Sequence, residues 1–391
     1  MQGVFGKREQ YKQSSSRITN PAHRSERCMS VKHLFFMLVI VFTIGLCPYG
    51  GAETFLITSD LHLTSDISAH ETTLNALRDA AQDVDAVILL GDSTNNTRME
   101  EHVHVLEFLS SLSKPAYVIP GNHDMTLDIS DFIGLYADYG WNLAFSRDRD
   151  SASCAVMTDN GTCLLLLDTN HLPGRVASRG GISDSTCEWV SSTLSSLPDE
   201  APVVACGHHP LLPEERWRGT PGAEALVNTL QGVKLYLCGH DHGFAAVKVD
   251  EMQQITVGQP QAYPGWAGIL EISEDSYRWQ VLSLYDAQTL RAMRSNSMTF
   301  AENMAKGTLA GTIHEGDEGA IQWFAKAFEA ATTSQLTEIF AAEMLDTPDA
   351  QKWREIETKT VVKKWLFGLL EDPPNDVRQI EIAIKQTTTK Q

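Results

Sequence analysis

Short apolar runs rich in β-branched residues recur along residues 54–284, and amphipathic segments separate them. Residues 86–90 (AVILL) and 203–206 (VVAC) illustrate the runs, and residues 71–81 and 99–112 illustrate the amphipathic segments. A run of four to six apolar residues is typical of a buried strand, and the longer amphipathic segments are typical of helices. The alternation therefore predicts an α/β fold built from βαβ units.

Two stretches depart from this alternation and predict antiparallel hairpins. Asp159, Asn160 and Gly161 stand between the strand-like runs CAVM and CLLLL, and Asn-Gly is a strong hairpin signal. Residues 268–284 (GILEISEDSYRWQVLSL) contain two further strand-like runs around a polar turn. The sheets are therefore expected to be mixed, with both parallel and antiparallel strands.

After about residue 286 the pattern becomes helical. Residues 320–328 place their apolar side chains on one helical face, and a similar stripe recurs over residues 353–370. Pro348 and the Pro373-Pro374 pair separate these helices. This region has no cluster of candidate ligands. We therefore predict an accessory helical layer or an oligomer contact, with a substrate lid as the alternative.

The N-terminal residues have the pattern of a secretory signal. A basic flank at Lys32 is followed by an apolar core over residues 34–47 and by small residues at Gly50 and Ala52. We predict cleavage after Ala52 and a secreted or cell-surface protein. The alternative is an uncleaved N-terminal membrane anchor, although the apolar core is shorter than the roughly 20 residues of a bilayer span. Met29 is a second candidate start, because a polar stretch precedes it.

Charge is distributed unevenly along the chain. The formal net charge is −19, yet residues 1–52 contain seven Lys and Arg residues against two acidic residues, so the acidic excess lies in the remainder. An acidic body disfavours nucleic-acid binding, which depends on Lys and Arg to neutralise phosphates, and we expect no specific nucleic-acid partner. Five cysteines follow the leader, and their odd number and lack of C-x-x-C spacing disfavour a disulfide framework or a cysteine-rich zinc site.

Five strand-like runs are followed at once by Asp, His or Asn. In chain order these motifs are D-L-H at Asp60 and His62, G-D at Asp92, G-N-H-D at Asn122, His123 and Asp124, G-H-H-P at His208 and His209, and G-H-D-H at His240 and His242. Ligands of open α/β sheets bind beyond the carboxyl ends of the strands, so we expect the five motifs to meet at one site.

The residue types in these motifs indicate a metal centre. Carboxylate oxygen and neutral imidazole nitrogen suit borderline ions such as manganese, iron, zinc or cobalt. A carboxylate shared by two ions can hold them about 3.5–4 Å apart, where both stabilise an in-line displacement at phosphorus. The ions also lower the pKa of a shared water, so that hydroxide forms near neutral pH and no side-chain nucleophile is needed.

The ordered set of five motifs resembles the calcineurin-like metallophosphoesterase family over residues 55–245. A lone G-H-x-H motif is weak evidence, whereas the complete series in this order is specific. The resemblance implies a four-layer α/β/β/α sandwich, which here carries a helical C-terminal extension. We accordingly divide the chain into an N-terminal extension with signal peptide (1–52), a metallophosphoesterase catalytic domain (53–290) and a helical C-terminal region (291–391).

Carried over residue by residue, the resemblance implies two bound metal ions, divalent or trivalent, that share one carboxylate. The implied ligands are Asp60, His62, Asp92 and His242 for the first ion, and the bridging Asp92 with Asn122, His208 and His240 for the second. The resemblance also implies that His123 steadies the phosphate and protonates the leaving oxygen, with Asp124 orienting its ring.

The sequence gives less specific expectations for other polar residues near the motifs. His208 fits the family pattern of His, any residue, Pro, so His209 is expected to lie behind the ligands or to face the substrate. His102 and His104 fall on a predicted helix and are expected to face solvent. Many relatives have Asp where this chain has Asn95, three residues after the bridging carboxylate. That departure bears on substrate preference rather than on metal binding.

Substrate contacts are expected from loops at the rim of the site. Candidates are residues 124–145, 170–182 and 210–222, the last containing Arg216, Trp217 and Arg218. Tyr263 and Trp266 are also possible wall residues, with core packing as the alternative.

The sequence thus predicts a metal-dependent hydrolase of phosphodiesters or phosphomonoesters of small molecules. The alternatives are a non-catalytic interaction module on the same fold and a metal-binding or storage protein. Membrane association is expected only if the N-terminal apolar segment stays uncleaved. The motifs specify neither the substrate nor the oligomeric state.

Overall fold

The computed structural model describes residues 51–125, 128–172, 175, 176, 178–213, 219–356 and 361–384. The predicted signal sequence up to residue 50 and the trio Arg216, Trp217 and Arg218 lie outside the described residues. Within these ranges, no helix has the length and apolar character needed to cross a bilayer.

Most of the strands form two mixed sheets. The strands are β1 (Glu53–Thr58), β2 (Ala86–Leu89), β3 (Ala116–Val118), β4 (Ser146–Arg147), β5 (Cys154–Met157), β6 (Cys163–Leu167), β7 (His171–Leu172), β8 (Arg175–Val176), β9 (Val203–Gly207), β10 (Leu235–Cys238), β11 (Ala245–Val249), β12 (Met252–Thr256), β13 (Trp266–Ile272), β14 (Ser276–Ser283) and β15 (Gln379–Ala383). The first sheet has the order β15-β14-β13-β1-β2-β3 and the second the order β11-β12-β10-β9-β6-β5-β4, while β7 and β8 form a separate ribbon.

In the second sheet the parallel strands lie in the middle with antiparallel strands on both sides, whereas in the first sheet they form one end, with β3 at the edge. β1, β2 and β3 run parallel, as do β6, β9, β10 and β12. The pairs β5–β6 and β13–β14 are the two hairpins that the sequence predicts. β13 then continues the first sheet antiparallel to β1, with Leu270 opposite Phe55.

Helices cover the outer faces of the two sheets and form the C-terminal region. They are α1 (Glu71–Ala80), α2 (Met99–Ser111), α3 (Ile129–Tyr136), α4 (Asp184–Ser195), α5 (Ala223–Thr229), α6 (Ala287–Leu309), α7 (Glu318–Thr332), α8 (Glu338–Leu345), α9 (Pro348–Glu355) and α10 (Val361–Glu371), with short 3-10 turns at Ile67–Ala69, Ala81–Asp83, Ala137–Tyr139 and Trp141–Leu143.

Successive residues of β1 pack on opposite faces of the first sheet. Phe55 and Ile57 are fully buried in the core between the two sheets, whereas Leu56 packs with Leu77 of α1 and Phe108 of α2 on the outer face. A separate cluster on the outer face of the second sheet includes residues of α4 and α5. Each fully buried Leu, Ile or Phe side chain contributes roughly 1.5–3 kcal/mol. The predicted four-layer α/β/β/α sandwich is thereby confirmed.

Helices α6 to α10 enclose an apolar core of their own. Trp353 is fully buried, its ring centre lies 5.0 Å from that of Phe324, and its Nε1 donates to the carbonyl oxygen of Ala320 at 2.9 Å. The Nε1 atom of Trp323 likewise donates to the carbonyl oxygen of Met344 at 2.9 Å. A buried indole is stable only when its N–H has such a partner. The helical C-terminal extension is confirmed.

One strand of the C-terminal region was not expected from the sequence. β15 pairs antiparallel with β14, with Ile380 opposite Trp279, where a helical region was predicted. Trp279 Nε1 donates to the carbonyl oxygen of Val377 at 2.8 Å, and Val377 is itself buried in the core between the sheets. The segment QIEIA has the alternating pattern of a half-buried strand. The alternation spans only five residues at the end of a helical region, so it was too short to predict a strand from the sequence.

Candidate metal centre

Backbone hydrogen bonds join the loop after β1 to the loop after β2. The amide of Asp60 donates to the carbonyl oxygen of Gly91 at 3.0 Å, and the amide of His62 donates to the carbonyl oxygen of Asp92 at 2.9 Å. Because β1 and β2 are parallel neighbours, their carboxyl ends meet at one edge of the sheet. These bonds place two of the predicted motifs side by side.

Five of the predicted ligands have a left-handed backbone conformation. The φ angles are 54° for Asp60, 43° for His62, 49° for Asp92, 70° for His240 and 58° for His242. This region is uncommon for residues other than glycine and costs on the order of 1–3 kcal/mol per residue. Such strain persists only where the surroundings fix it, and it concentrates at functional sites. The backbone therefore marks these strand ends as a functional site independently of their side chains.

Glycines allow the chain to pass close to two of the carboxylates. A Cβ atom at Gly121 would overlap the carboxylate of Asp92, and one at Gly239 would lie 2.7 Å from Oδ2 of Asp60. The glycines of the G-N-H-D and G-H-D-H motifs are thus required by close approach.

The four residues predicted to hold the first ion converge on one point. The Nε2 atom of His242 lies 3.4 Å from Oδ1 of Asp60 and 3.1 Å from Nε2 of His62. His62 Nε2 in turn lies 3.8 Å from Oδ1 of Asp60 and 3.7 Å from Oδ2 of Asp92. One ligand atom from each residue falls within 4.8 Å of the other three. The arrangement is a candidate site for a single cation.

Asp92 lies between this group and the residues predicted for the second ion. Its Oδ2 atom is 3.2 Å from Nε2 of the fully buried His208. His208 Nδ1 lies 2.8 Å from the carbonyl oxygen of Leu90, which can only accept, so Nδ1 carries the proton. Nε2 is then the ring nitrogen that faces Asp92, and it is the one left for a metal ion.

His240 lies close to His208, and Asn122 stands in the chain between Gly121 and His123, both of which approach the carboxylate of Asp92. The backbone amide of His240 donates to Oδ2 of Asp60 at 3.1 Å, and the ligand atoms of His208, His209 and His240 fall within 4.8 Å of one another. The buried Oδ1 atoms of Asn122 and Asp60 have no hydrogen-bond partner in the described part of the chain. Buried oxygens normally have a partner. Buried oxygens without a hydrogen-bond partner on two predicted ligands fit residues that bind cations.

Burial and mutual charge set the protonation of the cluster. Burial raises the pKa of Asp60 to about 7, although the charge of His208 opposes this shift. Burial lowers the pKa of His62 to about 4, so this imidazole is neutral and has a lone pair at neutral pH. Burial also acts against the His208 cation, but the carboxylate of Asp92 outweighs it and raises the pKa of His208 to about 9. Metal binding would therefore release a proton from His208.

His209 lies in one cluster with two predicted ligands. It is fully buried, as His208 is, and one of its ring nitrogens lies within 4.8 Å of the ligand atoms of His208 and His240. Its Nδ1 atom lies 2.8 Å from Oγ1 of Thr169, and the same hydroxyl oxygen accepts a hydrogen bond from the backbone amide of His209 at 3.1 Å. The ring centres of His209 and His240 are 4.5 Å apart. His209 thus packs directly against a predicted ligand, a contact that the doubled histidine of G-H-H-P signals in the sequence.

His123 lies at the exposed side of the cluster. Its backbone amide donates to Oδ1 of Asp92 at 2.7 Å, and its ring centre is 4.7 Å from that of His62. Its Nδ1 atom lies 2.7 Å from the carbonyl oxygen of Asn95 and therefore carries a proton. The Nε2 atom of His123 is then the one available to a substrate.

The expectation that Asp124 orients the His123 ring is wrong. The Asn95 carbonyl takes that position, and the Asp124 carboxylate instead accepts from the backbone amides of Gly121 at 3.0 Å and Thr94 at 2.8 Å, and from the Thr94 hydroxyl at 2.8 Å. Asp124 is buried, and burial raises its pKa to about 6. It is a positioning residue that ties the loop after β3 to the loop after β2.

The expectation that His102 faces solvent is also wrong. It is fully buried rather than exposed, and its Nδ1 atom lies 2.8 Å from the hydroxyl oxygen of Tyr136 on α3. A histidine on the inner face of a helix looks polar in the sequence, but a hydroxyl group from a neighbouring helix satisfies it here. His104 on the same helix is half-buried.

Residues 53–244 match the family model described as calcineurin-like phosphoesterase. This part of the chain belongs to the calcineurin-like phosphoesterase family. Within the family, the chain is 31% identical over 176 residues to the glycerophosphodiester phosphodiesterase GpdQ of Enterobacter lignolyticus, an alignment that covers 43% of this chain and 59% of that protein. It is 24% identical over 196 residues to a 3',5'-cyclic-nucleotide phosphodiesterase of Nostoc, covering 48% of this chain and 68% of that protein.

Among solved structures, a dimetal phosphatase from Danio rerio aligns with this chain at a TM-score of 0.47 and 18% identity, over 60% of this chain and 97% of that one. The chain spans 59% of the length of the Enterobacter relative. The family match ends at residue 244, before the helical C-terminal region begins.

Proposed function

We propose that this protein hydrolyses phosphodiesters of small molecules with two metal ions bound at the strand ends. The position of Asp92 carries the proposal. Its Oδ2 atom lies 3.7 Å from Nε2 of His62 in one ligand group and 3.2 Å from Nε2 of His208 in the other. A carboxylate shared by two groups of nitrogen and oxygen ligands is the arrangement that a two-metal phosphoryl-transfer site requires.

The residues fit the ions that this chemistry uses. Four imidazoles, an amide oxygen and two carboxylates suit borderline metals, so manganese, iron, zinc and cobalt are the proposed ions. The proposed ligands are Asp60, His62, Asp92, Asn122, His208, His240 and His242. When bound, two such ions supply Lewis-acid stabilisation of the phosphoryl group and activation of water for attack at phosphorus.

His123 supplies the proton for the leaving group in this proposal. The Asn95 carbonyl oxygen fixes the ring through Nδ1, 2.7 Å away, and leaves Nε2 for the substrate. In the protonated imidazole, Nε2–H binds a phosphoryl oxygen and then passes its proton to the departing ester oxygen. A positioned general acid of this kind contributes about 10²–10⁴-fold to the rate.

Two of the similar proteins are named as phosphodiesterases, which supports diesters over monoesters as substrates. The chain covers less than two thirds of the first of these proteins, so the activity is proposed here and rests on the site geometry.

The test measures metal content and turnover on one sample. Protein beginning at Glu53 is loaded with manganese, iron, zinc or cobalt, and elemental analysis is paired with hydrolysis of bis-(p-nitrophenyl) phosphate and p-nitrophenyl phosphate. We expect about two tightly bound ions per chain and faster turnover of the diester. Two bound ions without turnover of either ester would leave a non-catalytic module, and many weakly bound ions would indicate a storage protein.

We also propose a secreted or cell-surface location. The support is the apolar core over residues 34–47 after Lys32, followed by small residues before Glu53. Edman sequencing of protein recovered from the envelope and medium should begin at Glu53. An intact leader on membrane-bound protein would instead indicate an anchor.

A further inference from the structure

A cavity of about 500 Å³ lies between the strand-end loops and the C-terminal helices. One wall includes His242, Gln261 and Tyr263, which follow β10 and β12. The opposite wall comes from helices α6, α7 and α10. Of the two rim residues that the sequence suggested, Tyr263 lines this cavity, whereas Trp266 packs against the core between the sheets.

The cavity adjoins the candidate metal centre directly. His242 lines it, and the Nε2 atom of this residue lies 3.4 Å from Oδ1 of Asp60. Gln261 lines it as well, and its Nε2 donates to the carbonyl oxygens of Asp60 at 2.9 Å and of Leu61 at 3.1 Å. A phosphodiester held at the strand ends can therefore extend one of its ester groups into the cavity.

The helical wall is predominantly apolar. It includes Met293, Phe300 and Met304 of α6, Phe328 of α7 and Trp365 of α10. The ring centres of Phe300 and Phe328 are 6.1 Å apart, and those of Phe328 and Trp365 are 5.8 Å apart. Phe300 is 56% exposed, which is unusual for a large aromatic residue and leaves apolar surface uncovered beside the cavity.

The charge of the lining residues and the flexibility of the methionine side chains indicate which chemical group the cavity can bind. The described lining residues include no Lys or Arg, so none of them would neutralise a second anionic group there. Unbranched methionines adapt to irregular and flexible apolar partners. A hydrocarbon chain fits both features, since it has no charge and can follow the methionine wall.

We propose that the cavity binds an alkyl or acyl chain on the ester group of the substrate. This assignment rests on the proposed phosphodiesterase activity and deepens it, because it assigns the substrate class to phosphodiesters with an apolar chain. It also gives helices α6, α7 and α10 a role in substrate selection.

The test keeps the leaving group constant and varies the other ester group. Methyl, butyl and hexyl p-nitrophenyl phosphates are compared, together with the phenyl ester. Each methylene that enters an apolar site is worth about fourfold. We expect kcat/KM to rise at least tenfold from methyl to hexyl. Binding is measured in parallel by calorimetry of methylphosphonate, hexylphosphonate and phenylphosphonate with the metal-loaded protein.

Two variants alter the wall in opposite ways. Phe300→Ala removes an exposed ring, and Ser297→Phe fills the cavity from the same helix. Both should lower the hexyl-to-methyl ratio of kcat/KM and of phosphonate affinity at least threefold. Ile339→Ala is the matched control, because Ile339 is a 74% exposed apolar residue of α8 outside the lining, and it should leave both ratios unchanged.

The outcomes separate this inference from the proposed function. Equal turnover of the methyl and hexyl esters, with equal binding of their phosphonates, would overturn the chain-binding cavity and leave the phosphodiesterase intact. No turnover of any diester, with hexylphosphonate still bound more tightly and sensitive to Phe300→Ala, would overturn the activity and support the cavity. A gain for phenyl without a gain for hexyl would overturn the assignment to hydrocarbon chains.

Discussion

The strand-end loops and the C-terminal helices contribute to the same part of the molecule by different physical means. The loops bring together polar side chains on a strained backbone, with positive φ at residues such as Asp60 and His242. The helices present apolar side chains such as Met304 and Trp365 beside them. The strand-end loops supply charge and candidate metal ligands, and the C-terminal helices supply the shape of the cavity wall. Changes in the two regions should therefore affect metal content and substrate preference separately.

The largest effect is expected at the shared carboxylate. Asp92→Asn removes the anionic oxygen between His62 and His208, so metal content and diester hydrolysis should fall together, the latter by at least about 100-fold. Elemental analysis and turnover on the same sample measure both. Asp79→Asn is the matched control, because Asp79 is exposed near the end of α1 and should retain both properties. An active, two-metal Asp92→Asn protein would remove Asp92 from the bridging position.

His123 should separate chemistry from metal binding within the loops themselves. His123→Ala should retain both ions and lower turnover by about 10²–10⁴-fold, because the leaving oxygen loses its proton donor. The loss should be larger for methyl phenyl phosphate than for methyl p-nitrophenyl phosphate, whose leaving group is stable as an anion. Equal losses with the two esters would contradict the role of a general acid.

A change inside the helical core should lower stability without emptying the metal centre. Trp353→Ala removes a fully buried indole and the hydrogen bond to Ala320, and it should lower the free energy of unfolding by about 3–5 kcal/mol. Denaturant unfolding measures this loss, and Trp353→Phe should cost less. Loss of metal from the folded Trp353→Ala protein would show that the two regions are more tightly coupled than their contacts indicate.

The same division explains how much the sequence could predict. The polar residues of the centre follow buried strands directly, so a short local pattern was enough to find Asp60, Asp92 and His240 and to infer that the strand ends meet. The direction of a side chain within a turn is not local information. Asp124 is adjacent to His123 in sequence, yet its carboxylate bonds to the loop after β2 while a backbone carbonyl holds the ring.

The errors outside the centre also come from contacts distant in sequence. The Tyr136 hydroxyl group that pairs with buried His102 lies on another helix, and β15 forms by pairing with β14 about 100 residues earlier. The apolar wall of the cavity depends most strongly on contacts distant in sequence. Its apolar residues look like ordinary core positions until α6, α7 and α10 are packed against the loop that contains Gln261.

The smallest effect is expected at Asn95, where the chain departs from the family pattern. Asn95→Asp preserves the backbone carbonyl that binds Nδ1 of His123, so metal content and ring orientation should not change. The added charge repels an anionic substrate, and the repulsion is greater for a monoester dianion than for a diester monoanion. The ratio of diester to monoester kcat/KM should therefore rise about threefold to tenfold. Asn95→Ala removes the amide without adding charge and should leave the ratio near that of the unchanged protein. If Asn95→Ala shifts the ratio as far as Asn95→Asp does, the amide itself contacts the substrate, and residue 95 acts on substrate preference by hydrogen bonding instead of by charge.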